Sequence, residues 1–514
     1  MDQLHRDRWR WHAALAGLTI LALLLRLHHV ASNSYWLDEA ISVLIARLPV
    51  SLILSNAGRS SHPGLYYLLL HHWLRPAETE AWVRGLSVLW GVLTVPAIFL
   101  LGVLLFNRKV ALLASLMLAV APFHVAYSQE ARMYSQITCL GVLAVICFHR
   151  ALESGPPHWW LATGVVVAAA AATHLFAFLL LAAMTVYALL YRRDCLAKLM
   201  WVNLVAIIVV VPHLASLLGR TQRHLGGLRP LVGWDRPGVL FPLTAIHLLL
   251  VGYSITPRLM PVALFSSLAV FVITLWEAGR TIRRRSGAWR PLVLLSLVVG
   301  IALLGPFGVA RIQPIFLPER TLLIALPSML LLIAWGMTEV ERRTPLPVLG
   351  VGLAVVMVVS LWGYYSHPDF QKPPLRQAAM LIQERFEPGD AVLHTSDGSY
   401  LPFLVCLDHP DGFLLQGDPD PRKSEAVYRM WGGHLVDKGD LHGRFDRLWL
   451  VVALDHSVEF QRDALAWFES RYPLLARHDV EGIGVHLLHL TVDEFNDQAY
   501  SSSGLPASPS SLDH

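Results

Sequence analysis

Asp38 and Glu39 stand side by side in "NSYWLDEAIS", residues 33–42, a few positions after a long apolar run and directly after a Tyr-Trp pair. Neighbouring residues of a helix point about 100° apart, so one acid of such a pair can face a reacting atom while the other supports it. A carboxylate so placed takes the proton of an attacking hydroxyl, provided that it stays ionised. The same residues also suit the start of the amphipathic segment "EAISVLIARL", with Asp38 as its cap and Glu39 in a first turn that favours negative charge. Both readings are open.

Other polar groups return at the ends of apolar runs. "SNAGRSSHPGLYYLLLHHWLR" sets His62 before a Pro-Gly break and Tyr66 in the helix that follows. "YSQEARMYS" carries Glu130, Arg132 and Tyr134 between two apolar runs, where an ionisable residue is a functional candidate by default. His174 interrupts a further run, and "LPERTLL" brings Glu319 and Arg320 to the start of a late one. The loops on this side hold Arg132, Arg220, Arg223, Arg229, Arg236, Arg311 and Arg320 and no lysine. A guanidinium is the better fork for phosphate, because its planar donors engage two oxygens and it is weakly hydrated. The chemistry expected is therefore attack on a membrane-anchored sugar phosphate, with Asp38 and Glu39 catalytic and Arg132, Arg320 and Arg220 on the phosphate. His62, Tyr66, Glu130, Tyr134 and His174 complete the cavity. A plainer role for any one arginine is a lipid headgroup or a local acid.

The elements that must position these residues are membrane spans. Of 514 residues 55% are hydrophobic and only 15% charged, and the mean hydropathy is +0.50, which is the balance of a multi-pass membrane protein. Apolar runs fall near 12–30, 82–106, 109–128, 134–150, 159–173, 175–191, 199–218, 259–278, 291–309, 321–339 and 346–365, giving about eleven spans. The first is long enough to be retained as a span rather than removed as a signal peptide. The run from Trp159 to Tyr191 is too long for one crossing and is split at Thr173 and His174. Basic clusters at the start, at Arg108 and Lys109, at Arg192 and Arg193, in 279–290 and at Arg342 and Arg343 fall on one side, taken as cytoplasmic. The N terminus is then cytoplasmic, and the loops bearing the candidate residues are extracytoplasmic. Segment 239–255 is expected to be interfacial or re-entrant.

From about 366 the composition changes, and alternating helical and strand patterns predict a small α/β domain over 366–495 on the extracytoplasmic side, followed by a disordered tail at 496–514. The net charge of +4 is dispersed in loop-sized clusters, which excludes a nucleic-acid footprint. The four cysteines form neither a disulfide framework nor a zinc spacing, and no metal site is assigned.

Taken in order, "YWLDEA", "SHPGLYYLLLHHW", "YSQEARMYS", "THLF" and the "ER" opening the tenth run resemble the dolichyl-phosphate-mannose protein mannosyltransferases, glycosyltransferase family 39, and their bacterial relatives that modify lipid A with aminoarabinose. The resemblance covers roughly residues 10–365. It implies a GT-C fold over 1–365, an outer loop 31–80 with juxtamembrane helices, Asp38 as the catalytic aspartate, and Arg132 and Arg320 at the donor phosphate. It further implies an inverting glycosyltransferase fed by a polyprenyl-phosphate-linked hexose or pentose in the cell inner membrane. No cofactor is required, although Asp38, Glu130 and His62 are the groups that would bind a divalent cation. His-Pro-Gly stands where His-Pro-Pro is commoner, and the acceptor, whether protein, lipid or glycan, is open. The alternatives are a lipid-linked glycan polymerase or ligase and a polyprenyl-lipid transporter; no internal repeat of the transporter kind is present.

Overall fold

The computed structural model describes residues 2–55, 62–154, 156–224, 236–312, 319–340, 345–406, 412–417, 425–453 and 458–490, with side chains throughout these except at 2–8, 154 and 217–224. The chain forms two compact units: Met1–Asn33 with Ser42–Gln371, and Ser34–Ile41 with Lys372–His514.

The larger unit is built of helices. In chain order they are α1 (Asp2–Leu27), α2 (Leu37–Arg47), whose first turn belongs to the second unit, α3 (Val50–Leu54), α4 (Leu65–Trp73), α5 (Glu80–Leu105), α6 (Arg108–Val120), α7 (Pro122–Ser128) and α8 (Tyr134–Ser154). They continue as α9 (Pro157–Thr173), α10 (Ala177–Tyr191), α11 (Leu196–His224), α12 (Phe241–Val251), α13 (Met260–Arg284), α14 (Trp289–Ile312), α15 (Leu326–Glu339) and α16 (Leu346–Ser366), with a 3-10 turn at Glu319–Ala325. Helix α5 is central, packing on α1, α6 and α8, while α8 packs on α9 and α9 on α11.

Among the described residues eight helices are long and apolar enough to cross a membrane, or nine if the bent pair α6 and α7 is one span. The sequence-based count of eleven is higher because it treats 159–173 and 175–191 as full spans. They are helices of 17 and 15 residues that meet at His174. The run 109–128 is broken by 59° at Ala121, because Pro122 disfavours helical geometry in the residue before it and offers no N–H. Helix α12 has 11 residues, about 16 Å at 1.5 Å per residue, which is half of a ~30 Å apolar core.

Where α5 meets α6 the backbones touch. A Cβ on Gly102 would lie 2.7 Å from Ala111 Cα and 2.9 Å from Ala111 Cβ, so only glycine permits this approach. Gly91 allows a similar approach further toward the start of α5, where a Cβ would collide with Ser128 Oγ.

The smaller unit carries α17 (Leu375–Arg385), β1 (Asp390–His394), α18 (Asp397–Cys406), β2 (Gly412–Leu415), α19 (Glu425–Met430), β3 (His434–Val436), β4 (Arg447–Val452), α20 (Val458–Glu469), β5 (Leu474–Val480) and β6 (Ile483–His489). The strands form one sheet in the order β3-β2-β1-β4-β6-β5, parallel across β3, β2, β1 and β4 and closed by the antiparallel pair β6 and β5. Ala391, Leu393, Leu448 and Leu450 face Ala464 and Phe468 of α20, whereas Val392, Trp449 and Val451 face Leu375, Ala379 and Ile382 of α17. Burial on both faces explains the unbroken apolar run "LWLVV" that follows Arg447. Asp390, at the head of β1, is buried; burial works against its charge, yet Arg447, the Glu387 N–H and Trp449 Nε1 donate to it and hold its carboxyl below the usual carboxylate range.

Two consequences are measurable. Gly102→Val forces α5 and α6 apart and is expected to lower stability by about 1–3 kcal/mol, read as a fall in the detergent-solubilised Tm. Because the folded Asp390 has a depressed pKa, its stabilisation is complete above the ordinary value of about 4 and drains as pH falls below it. Asp390→Asn is expected to lose roughly 1–3 kcal/mol at neutral pH and to show a shallower acid transition by tryptophan fluorescence.

Candidate active site

The acidic pair lies in the smaller unit. Helix α2 starts at Leu37, and the Glu39 and Ala40 N–H groups both donate to Trp36 O. Trp36 is therefore the cap, and Asp38 sits inside the first turn, which corrects the capping reading of Asp38. Glu39 is wholly buried and Asp38 only partly so. Lys372 Nζ donates to Glu39 Oε2 at 3.0 Å and lies 5.3 Å from the Trp36 ring centroid.

A cationic cluster forms in the larger unit. The guanidinium carbons of Arg132 and Arg320 each lie 5.9 Å from the centroid of the Tyr134 ring. The His174 ring is 6.3 Å from that of Tyr134 and 4.8 Å from that of His62. His174 Nδ1 accepts from the Phe176 N–H at 3.1 Å, which assigns the ring proton to Nε2, a buried donor with no hydrogen-bond partner among the described residues. Burial, reinforced by Arg132, pushes His174 down to about 3. His62 is likewise held well below its ordinary value by burial, with His174, Arg132, Arg320 and His213 adding to it. Both imidazoles are thus neutral at pH 7, and the positive charge of the cluster is carried by the two guanidiniums.

Arg132 is fixed on both sides. Its Nη1 donates to Ser42 Oγ at 3.2 Å, and its carbonyl accepts from Ser87 Oγ at 3.0 Å. Ser87 also pairs with the Tyr66 hydroxyl at 2.9 Å, and its own carbonyl accepts from Ser135, so one turn of α5 ties α4 to the loop before α8. Tyr66 is accordingly a buried link to Arg132. Glu130 shares the loop, and its charge acts on Tyr127, Tyr253 and Tyr364. Burial, with Glu130 second, raises the Tyr253 hydroxyl well above its ordinary value. The Arg220 side chain lies outside the described residues, although its backbone belongs to α11.

Two further arginines hold this frame together. Arg26, fully buried, donates to Ala22 O, to Leu118 and Ala119 O at the end of α6, to Ser128 Oγ and to His124 Nδ1. Ala119 O is left without a helical N–H by the break before Pro122, and Leu118 O keeps a long bond from the Ala121 N–H at 3.4 Å. Gln129 answers by donating from Nε2 to Arg26 O and His28 O at the end of α1. Arg84 donates to Val30 O and Asn33 O and so holds the start of the first loop.

The structure therefore groups His62, Arg132, Tyr134, His174 and Arg320 and attaches Tyr66 through Ser87, while Glu130 shares the loop of Arg132. Sequence reasoning missed Arg26, Arg84, Ser87, Gln129 and His213. Arg26 and Arg84 carried a usable signal, being arginines inside apolar runs; a serine in α5 carried none. Among the described residues no three His, Cys, Asp or Glu side chains are grouped to hold a metal ion.

Residues 62–215 match the family model described as dolichyl-phosphate-mannose-protein mannosyltransferase. No curated protein matches the chain by sequence. ArnT from Cupriavidus metallidurans in the apo state is similar in structure, with a TM-score of 0.62 at 12% identity, covering 94% of this chain and 98% of that one. The same protein bound to undecaprenyl phosphate gives 0.60 at 13% identity, covering 92% and 97%. The archaeal oligosaccharyltransferase AglB from Archaeoglobus fulgidus, in complex with an inhibitory peptide and a dolichol-phosphate, gives 0.51 at 11% identity, covering 95% and 75%. Identities this low speak for the fold alone. With that fold along nearly its whole length and the sequence match over 62–215, the protein is a polytopic membrane protein whose fold is similar to that of ArnT, a GT-C fold, and whose sequence over that stretch is similar to the dolichyl-phosphate-mannose-protein mannosyltransferases.

Proposed function

We propose that the protein is a membrane glycosyltransferase that moves a sugar from a polyprenyl-phosphate donor to an acceptor hydroxyl at the extracytoplasmic face, with inversion. The observation that carries this reading is the pair of guanidiniums that each approach Tyr134, with neutral His62 and His174 close by. Two fixed positive charges and the Nε2–H of His174 in a buried setting suit an anion with several acceptor oxygens. Similar folds bind the matching carrier class: ArnT is seen with undecaprenyl phosphate and AglB with a dolichol-phosphate.

In this mechanism Asp38 takes the proton of the acceptor hydroxyl as its oxygen attacks the anomeric carbon. The bond from that carbon to the phosphate oxygen breaks, and the electron pair leaves with the polyprenyl phosphate. Arg132 and Arg320, joined by Arg220, offset the charge that builds on the departing phosphate, where electrostatic stabilisation is worth most. Direct displacement inverts the anomeric centre. Glu39 supports Asp38, no cofactor is required, and the N terminus is cytoplasmic with the C-terminal domain extracytoplasmic.

Asp38→Asn is expected to lower turnover of undecaprenyl-phosphate-linked sugars in proteoliposomes by roughly 10²–10⁴-fold while the Kd for undecaprenyl phosphate stays near that of the parent; unchanged turnover removes Asp38 from the mechanism. Arg320→Ala is expected to weaken undecaprenyl phosphate binding by about 10-fold or more, read by calorimetry in detergent, with little change in Tm. Equal affinity in variant and parent rejects the phosphate role.

A further inference from the structure

The segment that carries Asp38 and Glu39 is held by residues more than 300 positions later, where the C-terminal domain begins. Lys372 Nζ donates to the wholly buried Glu39 Oε2 at 3.0 Å and lies over the Trp36 ring, 5.3 Å from its centroid. Four residues on, the Arg376 N–H donates to Ser34 Oγ at 3.0 Å, and the Ser34 hydroxyl donates to Gln377 Oε1 at 3.5 Å. The stretch 34–39 is therefore fixed at its start by Arg376 and Gln377 and in the first turn of α2 by Lys372.

A carboxylate taken out of water needs a compensating charge. Lys372 supplies it to Glu39, and its ammonium gains further from the face of Trp36. Such pairs rarely add net stability over a well-packed apolar replacement, so what they contribute is geometry. Here the geometry is that of the backbone at Glu39, one residue from Asp38 in the same turn. Pinning Glu39 sets the Cα–Cβ direction of Asp38, which projects about 100° away around the helix.

We propose that Lys372 is a positioning residue for the transfer reaction: by clamping Glu39 it orients the first turn of α2 so that Asp38 is aimed for proton removal. This rests on the role given to Asp38 above. The C-terminal domain is on this account a working component of the enzyme, because its first residues complete the acidic turn.

The test uses the full-length protein in proteoliposomes, with release of undecaprenyl phosphate from undecaprenyl-phosphate-linked sugars as the turnover readout and undecaprenyl phosphate alone as the binding probe. Lys372→Met is expected to lower kcat about 10–100-fold with KM and the undecaprenyl phosphate Kd changed less than about 2-fold, since misaiming a catalytic group costs rate rather than binding. Lys372→Arg, which keeps the charge, is expected to restore most of the rate. The double variant Lys372→Met/Glu39→Gln, which strands no buried charge, is expected to be no slower than Glu39→Gln alone, because the two residues act as one unit. It also serves where Lys372→Met fails to fold. Parent-like kcat in Lys372→Met while Asp38→Asn is inactive overturns the positioning role and leaves the base intact. Multiplicative losses in the double variant, or equal losses in kcat and binding, overturn it as well. Parent-like turnover in Asp38→Asn overturns the base and this inference together.

Discussion

Arg26 uses all five of its donors on neutral acceptors: three carbonyls, a hydroxyl and an imidazole nitrogen. In an apolar bundle a carbonyl without a donor costs several kcal/mol, and a guanidinium without acceptors costs more. The two needs meet at the bend between α6 and α7, where Arg26 donates to Leu118 O and Ala119 O beside the break before Pro122. Everything downstream depends on this bend. Ser128 meets Arg26, Gln129 meets the end of α1, and the turn through Glu130 then delivers Arg132 beside Tyr134. The candidate anion site is thus the visible end of a backbone accounting problem solved some residues earlier.

The cluster around Tyr134 divides charge between two kinds of side chain. Arginine stays protonated in any surrounding, so Arg132 and Arg320 provide a constant field. Histidine is forced neutral by burial beside them, so His62 and His174 contribute shape and directed N–H groups without adding repulsion. The Tyr134 ring lies 5.9 Å from each guanidinium, and its negative quadrupole eases the placing of the two charges near it.

Much of this was legible in the sequence because charge is scarce in an apolar chain. Glu130, Arg132, His174 and Arg320 stood out against their neighbours, and the structure groups three of these four. Apolar runs gave the helices, but not their bends: 109–128 is continuous in hydropathy, and only the stereochemistry of Pro122 breaks it. In the C-terminal domain α17, β1, β4, α20 and β6 were readable, whereas β2 and β3, with 4 and 3 residues, are too short for a period to show. Helix α18 hid behind "YLPFLV", whose internal Pro402 argues against a helix. The contacts that position the site were the least legible. Ser87 joins Tyr66 to Arg132 through a hydroxyl and Lys372 reaches Glu39 across 333 positions, and neither relation leaves a local pattern.

The grouping of residues 34–41 with the C-terminal unit also bears on how the protein is made. Ribosomal synthesis yields the acidic turn early, yet its ammonium partner emerges only after the helices between them have been translated and inserted. Until that moment the contact between Lys372 and Glu39 is not made, so a chain interrupted before residue 372 leaves this tie of the turn unformed. Maturation of the acidic turn is thereby deferred until synthesis has passed residue 372.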